Sequence, residues 1–538
     1  MMRKDNKYFG VMLDMSRNAV MKPQKVKEFA TLIKKMGYNM IQLYTEDTYE
    51  VENEPYFGYK RGRYTQEELK DIVSYCESIG VEVIPCIQTL AHLAQIFRWK
   101  PYCELRDFAD ILLVGEARTY ELIENMFKTL RKCFSTQYVH IGMDEAHMLG
   151  LGKYLEKHGI ENRFEILQKH LSRVVEIAEK YDFKPIMWSD MFFRLANNGE
   201  YYPNEPRLTE EVVKMLPKNL GLVYWDYYHT EKEYMAKMMR AHLQSGNDTW
   251  FAGGAWTWTG FACGNKYTLE TMLPAMEAAA ECGVENIFIT LWGDDGKECS
   301  FYSVLPSLFA IKKAYDGIRD ENVIRKEFKE IVGVDYDVMM LLDSPNYVDG
   351  NEDCKKNISK RMLYNDPFTG VLDSTVKSGV ADAYLAHAKR LRSCAVGKYA
   401  YLFESAAALC ELLSVKYDLG KRTREVYNNK NADTMSALIE DYKKVEGYLE
   451  IFYEAFRKLW FTENKAQGFE VQDIRLGGLK QRIVHCRKRL TEYMEKKIES
   501  IPELEEEVLD YFGNGKEYTE EPAPTCLSWW RSSLVHIL

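Results

Sequence analysis

Short apolar runs alternate with longer amphipathic stretches along the chain from residue 8 to about residue 315. The runs are rich in β-branched and aromatic residues and are bounded by turn residues, which is typical of strands buried in a parallel sheet. The pattern predicts a strand at each run. The runs are Tyr8–Leu13, Tyr38–Tyr44, Val81–Ile87, Tyr138–Met143, Lys184–Trp188, Gly221–Tyr224, Thr249–Gly253 and Asn286–Trp292.

The stretches between these strands have helical periodicity. After the first strand, apolar residues recur at i, i+3, i+4 and i+7, at Phe29, Leu32, Ile33 and Met36. This spacing places them on one face of a helix, and Gly37 is placed to end it. The patterns over Glu67–Ile79 and Leu269–Cys282 also end at a glycine. We therefore expect helices between the strands.

Eight strand–helix units within about 310 residues predict an α/β fold, a (β/α)8 TIM barrel over residues 1–315. A doubly wound open sheet is the structural alternative. Such a sheet usually has a glycine-rich phosphate loop after its first strand. This chain reads Asp14-Met15-Ser16-Arg17 at that position, so the closed barrel is the more economical interpretation.

From residue 316 to residue 538 the strand pattern is absent and helical spacing replaces it. Apolar residues three and four apart are Leu438, Tyr442, Val445, Leu449, Phe452 and Phe456. Val380–Tyr417 and Leu479–Glu499 have similar faces. These patterns predict an α-helical C-terminal domain over residues 316–538, joined through a polar stretch at residues 346–356. This half could form a homodimer, complete the pocket or cap the barrel, and Trp529-Trp530 could dock onto another surface.

Charge and cysteine usage narrow the function classes. The formal net charge is −10, from 71 basic and 81 acidic residues, so the chain lacks the basic character of a nucleic-acid-binding protein. No run approaches the ~18 apolar residues of a membrane span, and the apolar run from Tyr8 stops at Asp14, too early for a secretory signal. The 12 cysteines include no C-x-x-C, which favours free thiols. We expect a cytoplasmic protein without a cofactor, metal, nucleic-acid or membrane partner.

The candidate chemistry lies just past the carboxyl ends of the predicted strands, where barrel enzymes place reactive side chains. Carboxylates and tryptophans are combined there, and six of the ten tryptophans fall within the last four units. This mixture favours a carbohydrate site, although each tryptophan could instead only seal the barrel rim. The candidates are Asp14, Arg17, Glu46, Asp47, His92, His140, Asp144, Glu145, Trp188, Asp190, Trp225, Asp226, Tyr227, Trp256, Trp258, Trp292, Asp294 and Asp295.

Asp144 and Glu145 directly follow an apolar strand, and the surrounding segments resemble a known family. His140-Ile141-Gly142-Met143-Asp144-Glu145 resembles the H-x-G-G-D-E signature of glycoside hydrolase family 20, the β-N-acetylhexosaminidases. Leu291-Trp292-Gly293-Asp294 resembles that family's last-strand Leu-Trp-Gly-Glu. Leu13–Arg17, Thr45-Glu46-Asp47 and Ala91-His92 resemble its first three strand ends, so the resemblance covers the predicted barrel.

The resemblance implies an exo-acting, retaining hydrolase that removes terminal β-linked GlcNAc or GalNAc from a small oligosaccharide or glycoconjugate substrate. In this mechanism the acetamido oxygen of the substrate attacks C1 and forms a cyclic oxazolinium ion. Glu145 would act as general acid and then as general base for the incoming water. Asp144 would orient the acetamido nitrogen and stabilise its developing positive charge.

The resemblance also implies contacts with the sugar. Arg17 would bind the 3- and 4-hydroxyls and Asp294 the 4- and 6-hydroxyls, while Asp47 and His92 resemble partners that bias the acid's protonation. Trp188, Trp225 and Trp292 would wall the acetamido pocket, while Trp256 and Trp258 are further candidates for substrate binding. From the residues alone, Arg17 could equally form a salt bridge at the barrel mouth, and His92 and His140 could be buried core histidines.

The chain departs from the family pattern at three positions. Met143 stands at the usual second glycine, and Asp294 stands where the family has glutamate. No residue matches the seventh-strand tyrosine that bonds the acetamide oxygen, and Tyr227 is the nearest replacement. These differences affect the pocket floor, the hydroxyl contact and the acetamide contact, respectively.

Two other functions are compatible with the residues. A metal-dependent barrel hydrolase could use ligands at His140, Asp144, Glu145 and His147. It is disfavoured because there is no H-x-H on an early strand and the tryptophans would have no role. A non-catalytic carbohydrate-binding barrel would still use the tryptophans and carboxylates.

Overall fold

The structure is a computed structural model that describes residues 8–348 and 357–513. Its parallel strands close into an eight-stranded barrel in which each strand pairs with its neighbour in chain order and the last pairs with the first. This confirms the predicted (β/α)8 TIM barrel. The strands are β1 (Phe9–Asp14), β2 (Met40–Tyr44), β3 (Glu82–Cys86), β4 (Tyr138–His140), β5 (Lys184–Trp188), β6 (Gly221–Trp225), β7 (Thr249–Gly254) and β8 (Asn286–Leu291).

Strand β4 is shorter than its predicted range, Tyr138–Met143. The ladder ends because Gly142 and Met143 have φ angles of 71° and 69°, which belong to the left-handed region and not to an extended strand. Gly142 is required there, since an added Cβ would lie 2.1 Å from Oε1 of Gln88. The chain therefore leaves the sheet two residues before Asp144.

The barrel interior is packed with large side chains from several strands. One buried cluster contains Met12, Tyr44, Ile84, Trp188, Val223, Trp250 and Phe288. Trp250 is fully buried and stacks on Tyr8 with ring centroids 5.3 Å apart. Part of the tryptophan content therefore serves packing, because aromatic side chains fill large volumes in a core.

The helices that follow the strands begin and end at expected signals. The side chain of Thr65 accepts the N–H of Glu68 and the Glu68 carboxylate accepts the N–H of Thr65, a capping box at the start of the second helix. Gly37 follows the first helix with a φ angle of 98°. The helices are α1 (Pro23–Lys35), α2 (Gln66–Ser78), α3 (Ala117–Cys133), α4 (Lys153–His158), α5 (Arg163–Lys180), α6 (Asp190–Ala196), α7 (Glu210–Met215), α8 (Lys232–Leu243), α9 (Asn265–Cys282), α10 (Leu305–Tyr315) and α11 (Glu321–Val332).

The later part of the chain is helical, as predicted. Val380–Tyr417 forms two helices and not one, because the chain breaks at Gly397, where φ is 70°. The helices are α12 (Tyr336–Met340), α13 (Ile358–Tyr364), α14 (Val380–Cys394), α15 (Ala400–Lys416), α16 (Leu419–Asn429), α17 (Ala432–Glu463), α18 (Phe469–Met494) and α19 (Pro502–Glu505). Short 3-10 helices cover Ile96–Arg98, Lys100–Leu105, Asp294–Gly296, Phe301–Val304, Leu341–Asn346, Asp373–Thr375 and Gly397–Tyr399.

The predicted apolar face of α17 is buried along its length. Trp529-Trp530 and most of the predicted polar connection at residues 346–356 lie outside the described residues. Within the described ranges, no helix has the length and apolar character that a membrane crossing requires.

The described chain forms two compact units that interleave in sequence. The first comprises the described residues of Met1–Ala255, Thr268–Trp292 and Pro306–Val334, and the second those of Trp256–Tyr267, Gly293–Leu305 and Asp335–Leu538. The first unit contains the barrel strands. The predicted domain boundary between residues 315 and 316 stays a prediction.

Candidate active site

The first strand end carries a buried carboxylate and an arginine. Asp14 is 1% exposed, and its Oδ1 accepts the backbone N–H of Ser16 at 2.8 Å and the Ser16 hydroxyl at 2.7 Å. The guanidinium of Arg17 lies 3.9 Å from Oδ2 of Asp14 and 3.7 Å from Oε1 of Glu46, and a third of its side chain is exposed. Arg17 thus contacts both carboxylates and remains accessible, so its two predicted roles, salt bridge and sugar contact, are compatible.

The second strand end supplies two buried acids with different partners. Glu46 accepts a hydrogen bond from the Tyr44 hydroxyl at 3.0 Å. Burial raises the pKa of Glu46 to about 7, against the opposing charges of Arg17 and His92. Asp47 accepts two hydrogen bonds from Arg61, at 3.2 and 3.0 Å.

Arg61 links Asp47 to the first strand end. The Arg61 guanidinium also donates to the backbone carbonyl of Arg17 at 2.9 Å and to that of Ser16. Asp47, predicted to bias the protonation of the acid, is therefore part of a clamp on the loop that carries Arg17. Burial raises the pKa of Asp47, and the charge of Arg61 opposes this.

Asp144 lies at the end of the fourth strand with a partner on each oxygen. Oδ1 accepts a hydrogen bond from Nε2 of Gln88 at 2.7 Å, and Oδ2 lies 3.2 Å from Nε2 of His92. Burial opposes ionisation, but the charge of His92 and the Gln88 hydrogen bond outweigh it and hold the pKa of Asp144 below its ordinary value. Asp144 is therefore a fixed carboxylate.

His92 faces both residues of the predicted catalytic pair. Its Nε2 is 3.2 Å from Asp144 and 3.8 Å from Oε2 of Glu145, and its backbone N–H donates to Asp110 at 3.0 Å. Burial disfavours the charged imidazolium, but the charges of Asp144 and Glu46 prevail and raise the pKa of His92 to about 10. At neutral pH this histidine is positively charged and is not an ordinary core histidine.

Glu145 differs from Asp144 in exposure. Its side chain is 47% exposed, whereas that of Asp144 is 13% exposed. Its backbone has a φ angle of 52° and donates its N–H to Oδ2 of Asp190 at 3.1 Å. Burial, reinforced by the nearby charge of Asp144, raises the pKa of Asp190 to about 7. The turn thus presents the accessible carboxyl group of Glu145 beside the mostly buried carboxylate of Asp144.

His140 is fully buried at the end of β4. Its Nδ1 accepts the backbone N–H of Gly142 at 3.1 Å, and its ring packs on Trp188 with centroids 4.5 Å apart. Burial lowers the pKa of His140 to about 3, so the imidazole is neutral. The structure thus matches the core alternative for this residue, and its predicted contact with substrate stays a prediction.

The aromatic candidates of the barrel unit lie together. Trp188 is 1% exposed, with its ring centroid 6.1 Å from that of Trp292. Trp292 is partly exposed and packs edge-on against Tyr44 at 4.8 Å. Trp225 stacks on Tyr227 at 5.3 Å, and the Tyr227 hydroxyl is hydrogen bonded to the side chain of Trp292. Trp188 is thus linked directly to Trp292, and Trp292 is linked to Trp225 through Tyr227.

Three predicted site residues belong to the second unit. Trp256 stacks on Trp258 with centroids 4.4 Å apart and is itself 2% exposed. Asp294 is partly exposed and begins a 3-10 turn, and the following residue, Asp295, has a φ angle of 49°. Their contact with substrate stays a prediction.

Two residues hold the turn at residues 142–145 through its backbone N–H groups. Asp190 was among the strand-end residues that the sequence pointed to, whereas Gln88 was not predicted as a site residue. Gln88 is fully buried, and its Oε1 accepts the N–H of Met143 at 3.1 Å. A polar residue directly past an apolar strand was the available signal for Gln88. Many loop residues share that signal, so it could not single Gln88 out.

The metal-hydrolase alternative finds no support in the described part of the chain. There, no group of three or more histidine, cysteine, aspartate or glutamate side chains is arranged to hold a metal ion. Nδ1 of His140 is occupied by the Gly142 N–H, and His147 is exposed. The residues proposed as ligands therefore do not converge on one point.

Comparison with known proteins identifies the family. Residues 7–252 match the family described as "Glycosyl hydrolase family 20, catalytic domain", and residues 336–521 match the "Glycoside Hydrolase 20C C-terminal domain". A probable beta-hexosaminidase of Arthroderma benhamiae is 23% identical over 252 residues, which are 40% of this chain and 38% of that protein. Human hexosaminidase D is 25% identical over 221 residues, 39% of this chain and 43% of that protein.

Among solved structures, a Flavobacterium johnsoniae chitobiase is similar with a TM-score of 0.49 and 17% identity, over 84% of this chain and 78% of that chain. The chain spans about 38 to 60% of the length of the first curated relatives. The two family matches follow each other in chain order and cover the barrel strands up to β7 and the C-terminal helical region. The chain therefore belongs to glycoside hydrolase family 20.

Proposed function

We propose that this protein is an exo-acting β-N-acetylhexosaminidase that removes terminal β-linked GlcNAc or GalNAc. The family and the hexosaminidase names of its relatives support this activity. The observation that carries the proposal is the unequal pair at the end of β4. Asp144 is only 13% exposed, accepts a hydrogen bond from Gln88 and is held ionised beside a charged His92, while the adjacent Glu145 is half exposed.

This inequality suits substrate-assisted hydrolysis. Most retaining glycosidases use two carboxyl groups ~5 Å apart, one as acid and one as nucleophile, and family 20 is an exception in which the substrate supplies the nucleophile. The acetamido oxygen forms a bond to C1 as the bond from C1 to the leaving oxygen breaks. A fixed, ionised Asp144 would accept the acetamido N–H as positive charge develops on it.

Glu145 has the complementary task. Its exposed carboxyl group would donate a proton to the leaving oxygen, and the resulting carboxylate would then take a proton from the water that opens the oxazolinium ring. The sugar is retained in the β configuration because C1 is inverted twice. Asp190 supports this role, because its carboxylate accepts the backbone N–H of Glu145 and so holds that residue in place.

The remaining sugar contacts are proposed from the resemblance. Arg17 is accessible between Asp14 and Glu46 and would bind the 3- and 4-hydroxyls. Asp294 would bind the 4- and 6-hydroxyls. Aromatic walls for the acetamido group are proposed at Trp188, Trp225 and Trp292, with Tyr227 near them and Trp256 and Trp258 as further ring surfaces.

The test is hydrolysis of an aryl β-N-acetylglucosaminide and the matching galactosaminide by the full chain. Glu145→Gln should lower kcat by about 10²–10⁴-fold, the usual contribution of a general acid. Glu156→Gln is the matched control, because Glu156 is an exposed glutamate on α4 of the same loop region, and it should retain full activity. Sugar binding without turnover by the unmodified protein would favour the carbohydrate-binding barrel instead.

The substrate-assisted step has its own measurement. A thiazoline that mimics the cyclic intermediate should inhibit the unmodified enzyme far more tightly than the product sugar does, as transition-state analogues do. Asp144→Asn should weaken that inhibition and lower kcat together. An undiminished rate of Asp144→Asn on a 2-acetamido substrate would refute the assignment of Asp144.

We propose further that the enzyme works in the cytoplasm and can assemble as a homodimer through its helical part. All ten cysteines among the described residues are free, which suits a reducing compartment. Cell fractionation tests the location. Sedimentation of the purified full chain tests the assembly, and a single monomeric species would refute the dimer.

A further inference from the structure

The side chain of Gln88 connects three groups around the turn at residues 142–145, which we call the reactive turn. It is fully buried just past β3. Its Nε2 donates to Oδ1 of Asp144 at 2.7 Å and to the Tyr44 hydroxyl at 3.0 Å, and its Oε1 accepts the N–H of Met143 at 3.1 Å. An amide has two donor hydrogens and one acceptor oxygen, so these three bonds together define a single orientation of the group.

The hydrogen bonds have a defined direction. The Tyr44 hydroxyl donates its only hydrogen to Oε1 of Glu46 at 3.0 Å, so toward Gln88 it can only accept. Both N–H groups of Gln88 therefore point at oxygen atoms, one on Asp144 and one on Tyr44. The opposite amide orientation would place two donors at the Met143 N–H and leave Asp144 facing a carbonyl oxygen.

We infer that Gln88 is a positioning residue for the reaction, which holds Asp144 in the orientation and ionised form that the acetamido group requires. This inference rests on the proposed function. Gln88 occupies one acceptor position on Oδ1 of Asp144, and His92 lies beside Oδ2 of the same carboxylate. Because a carboxylate offers about four lone-pair sites, acceptor capacity remains for the substrate N–H. The same amide also anchors Met143 at its left-handed φ angle of 69°.

The neutrality of Gln88 matters because its surroundings are already rich in ionisable groups. A second acid at this position would join a crowded set in which like charges disfavour ionisation. The titratable groups that interact with Asp144 or pack around it from neighbouring strand ends are Tyr44, Glu46, Cys86, His92, His140 and Asp190.

The experiment compares the pH profile of kcat/KM for Gln88→Glu with that of the unmodified enzyme. The two side chains have nearly the same shape, so the change alters protonation more than packing. When protonated, the new carboxyl can donate its hydrogen to Asp144 and accept from Met143. When ionised, it would place a second negative charge about 2.7 Å from Asp144, an arrangement in which one proton is retained strongly.

We therefore expect Gln88→Glu to approach the unmodified rate, within about tenfold, at the acid end of the profile, and to lose about tenfold per pH unit once the pair loses its shared proton. The unmodified enzyme should lose activity on the alkaline side only through the proton of Glu145, so the variant should show an additional alkaline loss that the unmodified enzyme lacks. Gln42→Glu is the matched control, since Gln42 is a fully buried glutamine on β2 with no hydrogen bond to any described residue. Its profile should keep the unmodified shape.

A second measurement covers the case in which Gln88→Glu does not fold. Gln88→Met removes all three hydrogen bonds, and its effect on kcat should be large in the unmodified background and small in the Asp144→Asn background, because coupled residues are not additive. Additive effects, or a Gln88→Glu profile parallel to that of the unmodified enzyme, would overturn the inference. Absence of any hydrolysis by the unmodified enzyme would instead refute the proposed function.

Discussion

The charge on His92 should depend on Asp144, and this dependence can be measured directly. Nε2 of His92 lies 3.2 Å from Oδ2 of Asp144. With an effective dielectric constant of about 20, two unit charges at this distance interact by about 5 kcal/mol, since 332/(20 × 3.2) is about 5. At 1.36 kcal/mol per pKa unit this corresponds to nearly 4 units. Asp144→Asn removes that attraction and leaves the burial of His92 in place.

We therefore expect the pKa of His92 to fall from about 10 to near or below its ordinary value of about 6.5 in Asp144→Asn. Histidine labelled with ¹³C at Cε1 allows this to be followed by NMR, with the His92 signal assigned from a His92→Gln sample. In the unmodified protein the signal should not titrate between pH 5 and 8. In the variant it should move within or below this range.

His170 is the internal control for that titration. It is fully buried, its Nε2 lies 2.8 Å from the carbonyl oxygen of Thr89, and burial lowers its pKa to about 4. Its titration should be the same in both proteins. A His92 signal that titrates near pH 6.5 in the unmodified protein, or that is unchanged in Asp144→Asn, would refute the electrostatic reasoning.

The same pair predicts a pH dependence of stability. Because the folded pKa of His92 is raised, its contribution is complete below pH 6.5 and is lost as the pH rises toward about 10. The pKa of Asp144 is lowered in the folded protein, so its contribution is lost as the pH falls below the ordinary carboxylate range. The melting-temperature difference between the unmodified protein and His92→Gln should therefore be largest between about pH 4 and 6.5.

Two further predictions concern backbone strain and buried charge. Gly142→Ala should destabilise the protein by about 3–5 kcal/mol, since the added Cβ would lie 2.1 Å from Gln88 Oε1 at a φ angle of 71°. Thermal unfolding measures this loss. Gly199→Ala is the control and should cost clearly less, because Gly199 has a φ angle of +93° but open space around the added Cβ. Lys360→Met should destabilise by about 1–3 kcal/mol in denaturant unfolding. The Glu298 carboxylate, 1% exposed, would lose its partner at 2.7 Å and keep only Arg475 at 3.1 Å, and adding Glu298→Gln should recover part of the loss.

The strand positions were predictable because a strand buried on both faces of a parallel sheet must be apolar throughout. The end of β4 was not, since the residues after His140 continue the apolar pattern. They leave the sheet because Gln88 and Asp190, from the ends of the two neighbouring strands, bind the backbone N–H groups of Met143 and Glu145. The local sequence pattern gives no information about hydrogen bonds that come from residues after neighbouring strands.

The proposed catalytic pair was easier to predict from the sequence than the groups that set its protonation. Asp144 and Glu145 could be proposed as the catalytic pair because the barrel places functional side chains at strand ends and the pair stands in a recognisable motif. Asp47 stands in a similar motif, yet its buried oxygen binds Arg61, 14 residues further along. A buried carboxylate without a partner is costly, so the long side chain of a nearby arginine satisfies it first. The motif thus supports the proposal of which groups react, whereas the proton affinity of each depends on which cation the fold brings to it.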